Sequence, residues 1–253
     1  MKKIIALDLD ETLLDSSRLI SEHTLNVLNK CKQAGYIIVI SSTRGYGSCK
    51  EIAKQINADY VCCQSGNMIV DSLGNINYKH GFTKQELVQL LSLAKKYTQN
   101  IIIDSNTNLY GGINDEFCKS WKVIYKDLDD LVDFDAYKVC IYCEKEYQKI
   151  LEDYCKNHNY VCRIMRTAPV LLITPSNSDK FYALEKLMLK LKTNTDNLFV
   201  FGDDNSDLLS IKKAKFGVAM ANARQEVKYN AKFVTKSNDE DGVAFYLENK
   251  LHI

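Results

Sequence analysis

The chain divides by the period of its apolar positions. Ile4-Ile5-Ala6-Leu7 and Tyr36-Ile37-Ile38-Val39-Ile40 are unbroken apolar runs, the pattern of strands buried on both faces of a parallel sheet. Between them Ser21 is a candidate N-cap, and Leu25, Leu28 and Cys31 recur at helical spacing until Gly35 stops the helix. A second helix over about 46–56 leads to the strand Tyr60-Val61-Cys62-Cys63. This βαβαβ order predicts a parallel sheet with right-handed crossovers.

The period then changes. Met68–Asp71 and Ile76–Lys79, joined by Ser72-Leu73-Gly74-Asn75, read as a hairpin, and Thr83-Lys84-Gln85-Glu86 is a capping box opening a helix to about Tyr97. Strands at 101–105, 107–110, 136–143, 160–165 and 170–174 and a helix at 145–157 follow without strict alternation. Alternation resumes after Pro175, with a helix carrying Lys180, Leu184, Leu187 and Leu191, the strand Leu198-Phe199-Val200-Phe201, the strand Gly217-Val218-Ala219 and a last strand near 232–235. The expectation is an α/β fold: a Rossmann-like parallel sheet core built from 1–81 and 178–253, with an α+β cap domain inserted at 82–177.

Composition narrows the partners. Among 253 residues, 33 basic and 32 acidic side chains leave a net charge of +1, so no bulk field draws the chain to nucleic acid or to a membrane. Met1-Lys2-Lys3 opens an apolar run that Asp8 interrupts too early for a signal peptide or a span. The nine cysteines then read as small core hydrophobes in a reducing, cytoplasmic setting. Cys140 and Cys143 have metal-ligand spacing, but in a strand residues three apart point to opposite faces. Two strand cysteines are the simpler reading.

The polar clusters fall at strand ends: Asp8/Asp10/Thr12, Ser41/Ser42/Arg44 and Asp203/Asp204/Asp207. In a parallel sheet those ends share one rim, where open α/β sheets bind ligands. Paired carboxylates there repel unless a cation or a shared proton intervenes. Each cluster alone has an ordinary explanation, because Asp favours turns and helix caps and a helix lysine is usually solvated. Their joint occurrence in this order is what carries weight.

Asp8-Leu9-Asp10-Glu11-Thr12-Leu13-Leu14 resembles the first motif of the haloacid dehalogenase superfamily. Ser42 with Arg44 resembles the second motif, Lys180 the third, and Gly202-Asp203 through Asp207 the fourth. Gly217-Val218-Ala219-Met220-Ala221-Asn222-Ala223, Glu226-Val227-Lys228 and Asp241-Gly242-Val243-Ala244 are similar to the Cof-type branch, whose type IIB cap lies between the second and third motifs, where the insertion falls here. The resemblance spans essentially the whole chain.

It implies a Mg2+-dependent phosphatase acting on small phosphorylated metabolites, sugar phosphates among them, as a monomer or homodimer. Asp8 would be the nucleophile that becomes an aspartyl-phosphate, and Asp10 the general acid and base. Asp8, the Asp10 backbone carbonyl and Asp203 would bind Mg2+, with Asp207 orienting metal-bound water. Ser42, Thr43, Lys180 and Ser206 would hold phosphate. Thr43 and Ser206 depart from the branch, which usually has Gly and Asn there, as do Ser65-Gly66-Asn67 and Ala221. These departures bear on substrate choice and turnover. Alternative readings are a sugar phosphomutase with the same two aspartates and a non-catalytic phosphate-binding or signalling relative. In the cap, Tyr110, Asn114, Asp115, Glu116, Trp121 and Arg166 are candidates for facing a substrate, none singled out.

Overall fold

The computed structural model describes residues 1–106, 108–112, 122–133, 135–165 and 168–252. Of the cap candidates, Asn114, Asp115, Glu116, Trp121 and Arg166 lie outside the described residues. The chain forms two compact units, one of Met1–Arg44, Cys49–Tyr78 and Asp179–Ile253, the other of Gly45–Ser48 and Lys79–Ser178.

The first unit is organised by strands β1 (Lys3–Leu7), β2 (Tyr36–Ser41), β3 (Tyr60–Cys63), β4 (Met68–Asp71), β5 (Ile76–Lys79), β12 (Leu198–Gly202), β13 (Phe216–Ala219) and β14 (Phe233–Val234). Their order across the sheet is β14-β13-β12-β1-β2-β3-β4-β5. β14 through β3 run parallel, and β4 turns back antiparallel to β3. The continuous apolar runs explain the central position of β1 and β2. Ile4, Ile5, Ala6, Leu7, Ile38, Val39 and Ile40 have no exposed surface, and each large aliphatic side chain so buried contributes about 1.5–3 kcal/mol.

Helices α1 (Glu22–Gln33), α2 (Tyr46–Gln55), α6 (Leu208–Lys213) and α7 (Gln225–Asn230) connect these strands, α5 (Lys180–Leu191) leads into β12, and α8 (Gly242–Leu251) follows β14. Ser21 caps α1 by accepting from the Thr24 N–H. The face of α1 turned to the sheet is Thr24, Val27, Leu28 and Cys31, while Leu25 is half-buried. Spacing alone places Leu25 on that face; the buried stripe instead runs through Thr24, Val27, Leu28 and Cys31. In α5 the buried residues are Lys180, Phe181, Ala183, Leu184, Leu187, Met188 and Leu191, so an ammonium group enters an otherwise apolar face.

The second unit holds a sheet of β6 (Ile101–Ser105), β7 (Asn108–Gly111), β8 (Ile124–Tyr125), β9 (Lys138–Tyr142), β10 (Val161–Ile164) and β11 (Val170–Thr174), in the order β10-β11-β9-β6-β7-β8. All its pairs are antiparallel except β7 with β8. Helices α3 (Lys84–Ala94) and α4 (Lys145–Asn157) belong to this unit, and α3 begins at a reciprocal Thr83–Glu86 capping box. Period-2 alternation divides the strands. Ile101, Ile103, Val139, Ile141, Leu171 and Ile173 join Leu87, Leu90, Leu91 and Leu151 in one core, and Ile102, Cys140 and Val170 form another on the opposite side. Cys143 belongs to the first core and Cys140 to the second, the divergence that strand geometry requires. The two-residue β8 is exposed and too short for a pattern, which is why the sequence did not reveal it.

Candidate active site

β1 ends at Asp8, whose N–H donates to the Phe201 carbonyl at 3.1 Å, so the first carboxylate is pinned beside β12. The chain then makes a tight turn over Leu9–Leu13, closed by the Leu13 N–H to the Asp8 carbonyl at 3.3 Å and the Leu14 N–H to the Leu9 carbonyl at 2.9 Å. Asp10 is extended there (φ −70°, ψ 132°), and Glu11 is left-handed (φ 57°). This reversal returns Thr12 to the rim, where its hydroxyl donates to Asp203 Oδ1 at 3.1 Å.

β12 ends at Gly202, followed by Asp203. A Cβ on Gly202 would lie 2.5 Å from Cβ and Cγ of Asp207, so the absence of a side chain at 202 lets the Asp207 carboxylate pack against the strand end. The turn 203–207 is held by the Asp207 N–H to the Asp204 carbonyl at 2.9 Å. Ser206 sits half-buried in it.

Lys180 enters this rim from the first turn of α5. Its Nζ lies 2.7 Å from Asp8 Oδ1 and 2.8 Å from Asp207 Oδ1, with all three side chains almost fully buried. A backbone knuckle positions it. Gln64, Ser65 and Gly66 all have positive φ, and a Cβ on Gly66 would come within 2.1 Å of the Asp179 carbonyl oxygen. The knuckle therefore lies directly against the residue before Lys180.

Asp8, Asp203 and Asp207 can each present one carboxylate oxygen so that all lie within 4.8 Å of one another. Three carboxylates and one lysine leave an excess of negative charge in a poorly solvated place. Burial, then the Asp8 and Asp207 charges, pushes the Asp203 carboxyl up to about 8. Burial likewise raises Asp207 to about 7, with Lys180 working against the rise. For Lys180 burial opposes the charge, but Asp207 and Asp8 outweigh it and its pKa goes up. Three hard oxygen donors short of positive charge match a divalent cation such as Mg2+, which needs only a few carboxylates and completes its shell with water and phosphate.

Asp10 does not join that group. Its half-exposed carboxylate turns to Arg44, which donates from Nε at 2.8 Å and from the guanidinium terminus at 2.5 Å. Ser42 is buried at the end of β2. Its N–H donates to the Cys62 carbonyl at 2.8 Å, and its Oγ accepts from the Arg44 N–H at 3.2 Å. Thr43 follows, half-buried. Thus Asp8, Lys180, Asp203 and Asp207 converge side chain to side chain, while Asp10, Ser42 and Arg44 form an adjoining linked set. Sequence reasoning had assigned no role to Arg44's grip on Asp10 or to the Gly66 knuckle. The available signal for the latter was a glycine within a short polar run just after a strand.

A family model of haloacid dehalogenase-like hydrolases matches residues 5–247. The chain belongs to that family, in its Cof-type branch, and is a phosphatase. It is 28% identical to the 5-amino-6-(5-phospho-D-ribitylamino)uracil phosphatase YcsE of Bacillus subtilis over 249 residues, covering 96% of this chain and 93% of the relative. A second phosphatase of that name in the same organism, YitU, is also 28% identical, over 97% of this chain and 96% of its own. Among solved structures, the phosphatase BT1666 of Bacteroides thetaiotaomicron superposes with a TM-score of 0.89 at 21% identity, over 100% of this chain and 96% of that one. The subclass IIB sugar phosphatase BT4131 superposes with a TM-score of 0.84 at 19% identity, over the full length of both. Among the described residues no helix is long and apolar enough to cross a membrane.

Proposed function

We propose that the protein hydrolyses phosphate monoesters of small, hydroxyl-rich metabolites, using Mg2+ and an aspartyl-phosphate on Asp8. The observation that carries this reading is the buried Lys180 bridging Asp8 and Asp207, with Asp203 alongside. Lys180 holds one Asp8 oxygen and leaves the second for attack on phosphorus, which a nucleophilic carboxylate requires. The ammonium also stands where charge develops on the transferring phosphoryl group.

Asp8 and Asp203 would hold the metal together with the Asp10 backbone carbonyl, and Asp207 would support it. When bound, Mg2+ neutralises phosphoryl charge and orients the ester. Ser42, Thr43 and Ser206 supply hydroxyl donors to the phosphoryl oxygens. The Asp10 carboxyl gives a proton to the leaving alkoxide and then takes one from the attacking water, and it must leave or share its contact with Arg44 to do so. The inserted segment 82–177 acts as the cap that selects the ester. Two relatives named for a phosphoribityl substrate and a neighbour named as a sugar phosphatase support a polyol or sugar phosphate.

The test is hydrolysis of p-nitrophenyl phosphate and of a panel of sugar, polyol and nucleotide phosphates. Asp8→Asn should lower every rate by about three orders of magnitude or more, and brief exposure of the wild type to labelled substrate should leave acid-stable label on Asp8. Full activity in Asp8→Asn sinks the proposal. An isomerised sugar phosphate without free phosphate would identify a mutase.

A further inference from the structure

The second unit carries a pair of thiols that the phosphatase chemistry does not use. Cys155 lies on the inward face of α4 with Gln148 and Leu151 and is buried. The chain reverses over His158 and Asn159, the latter left-handed at φ 58°, and the Tyr160 N–H donates back to the Cys155 carbonyl at 2.9 Å. β10 begins at the next residue. Cys162 stands two positions after Tyr160, hence on the same side of the strand, and both pack on the core that contains Cys155. Helix end, reversal and strand thus bring the two side chains to one core, close enough that each shifts the ionisation of the other. β10 is the edge strand of its sheet, and Cys162 is half-buried where Cys155 is closed off.

The geometry points to Cys155 and Cys162 as a redox-modifiable dithiol, which a low-molecular-weight disulfide such as oxidised glutathione converts to an intramolecular disulfide joining the end of α4 to β10. The Cys162 thiolate attacks one glutathione sulfur, forming a mixed disulfide and expelling a first glutathione thiolate. The Cys155 thiol, having lost its proton to solvent, attacks the Cys162 sulfur and expels the second. One oxidised glutathione is reduced to two thiols, and the protein loses two hydrogen atoms. The order follows from access and acidity. Cys162 is half-buried on the edge strand and its neighbour Cys155 draws its pKa down, whereas Cys155 is closed off and its own pKa is raised. Buried Cys62 and Cys140, pushed up to about 12 by burial alone or chiefly, should stay inert.

The experiment treats the full chain with oxidised glutathione, blocks remaining thiols in denaturant and counts them. Of nine thiols, those of Cys155 and Cys162 should no longer be free to react with the blocking reagent. Trypsin cuts at Lys156, between the pair, so non-reducing mass spectrometry should find a Cys155 peptide cross-linked to a Cys162 peptide. Cys155→Ser should stop at a glutathione adduct on Cys162, and Cys162→Ser should leave Cys155 unmodified. Nine thiols remaining in the wild type, or a cross-link between other cysteines, overturns the proposal without recourse to any variant.

Discussion

Each unit buries an acid–base pair, and the two are built differently. In the second unit Asp104 and Lys138 face each other across neighbouring strands β6 and β9, in register, at 3.4 Å, and both are about nine-tenths buried. In the first unit a single ammonium, Lys180, bonds two carboxylates and stands near a third. An ion pair laid in register across two strands is a packing solution, because breaking it exposes an uncompensated charge and little else. An unbalanced cluster costs stability in isolation and is retained only where something else supplies the missing charge. The difference separates structural from functional ion pairing without reference to any ligand.

The largest effect should come from removing each lysine in turn. Lys180→Met should lower phosphate hydrolysis by about a thousandfold or more and, with metal chelated at pH 8, cost about 3–5 kcal/mol in urea unfolding. Lys138→Met should cost a comparable amount, about 3–5 kcal/mol, yet leave turnover of a generic aryl phosphate unchanged. Equal activity losses would break the comparison. Gly66→Ala comes next: its Cβ collides with the Asp179 carbonyl at a backbone angle of φ +90°. It should destabilise by about 2–4 kcal/mol and reduce turnover less than Lys180→Met does.

Proton linkage sharpens the same contrast. Without metal, the folded chain keeps a proton on Asp203 between pH 3.8 and about 8 that the unfolded chain has released. Stability from this group therefore falls as pH rises through that window. In EDTA, the melting temperature of the wild type relative to Asp203→Asn should drop by several degrees from pH 4 to pH 8, and saturating Mg2+ should flatten the trend; a rise would contradict the assignment. The Mg2+ concentration for half-maximal rate should correspondingly climb by up to about tenfold per pH unit below 8. The smallest effect belongs to Thr83→Ala, which removes the α3 capping box and should cost about 1 kcal/mol with no change in kcat.

Much of the architecture was legible because its signals are local. The unbroken apolar runs of β1 and β2, the Ser21 and Thr83 caps and the apolar stretches of β6 and β9 are written in neighbouring residues. What was not legible depends on distance. Leu25 shares the helical spacing of Leu28, and only packing leaves it half-buried, while β8 had no pattern to read. At the site, the residue types at each strand end were visible, but the turn after Asp8 that sends the Asp10 carboxylate to Arg44 was not.

By itself, then, the sequence determined which side chains stand at the carboxyl ends of the parallel strands, since strand period and chain order dictate that. Tertiary structure alone decided how their charges are shared. The Gly66 knuckle, the bare face of Gly202 and the first turn of α5 set which carboxylates Lys180 reaches. Those contacts join residues up to 172 positions apart, and electrostatics depends on that spatial separation, which no local pattern encodes.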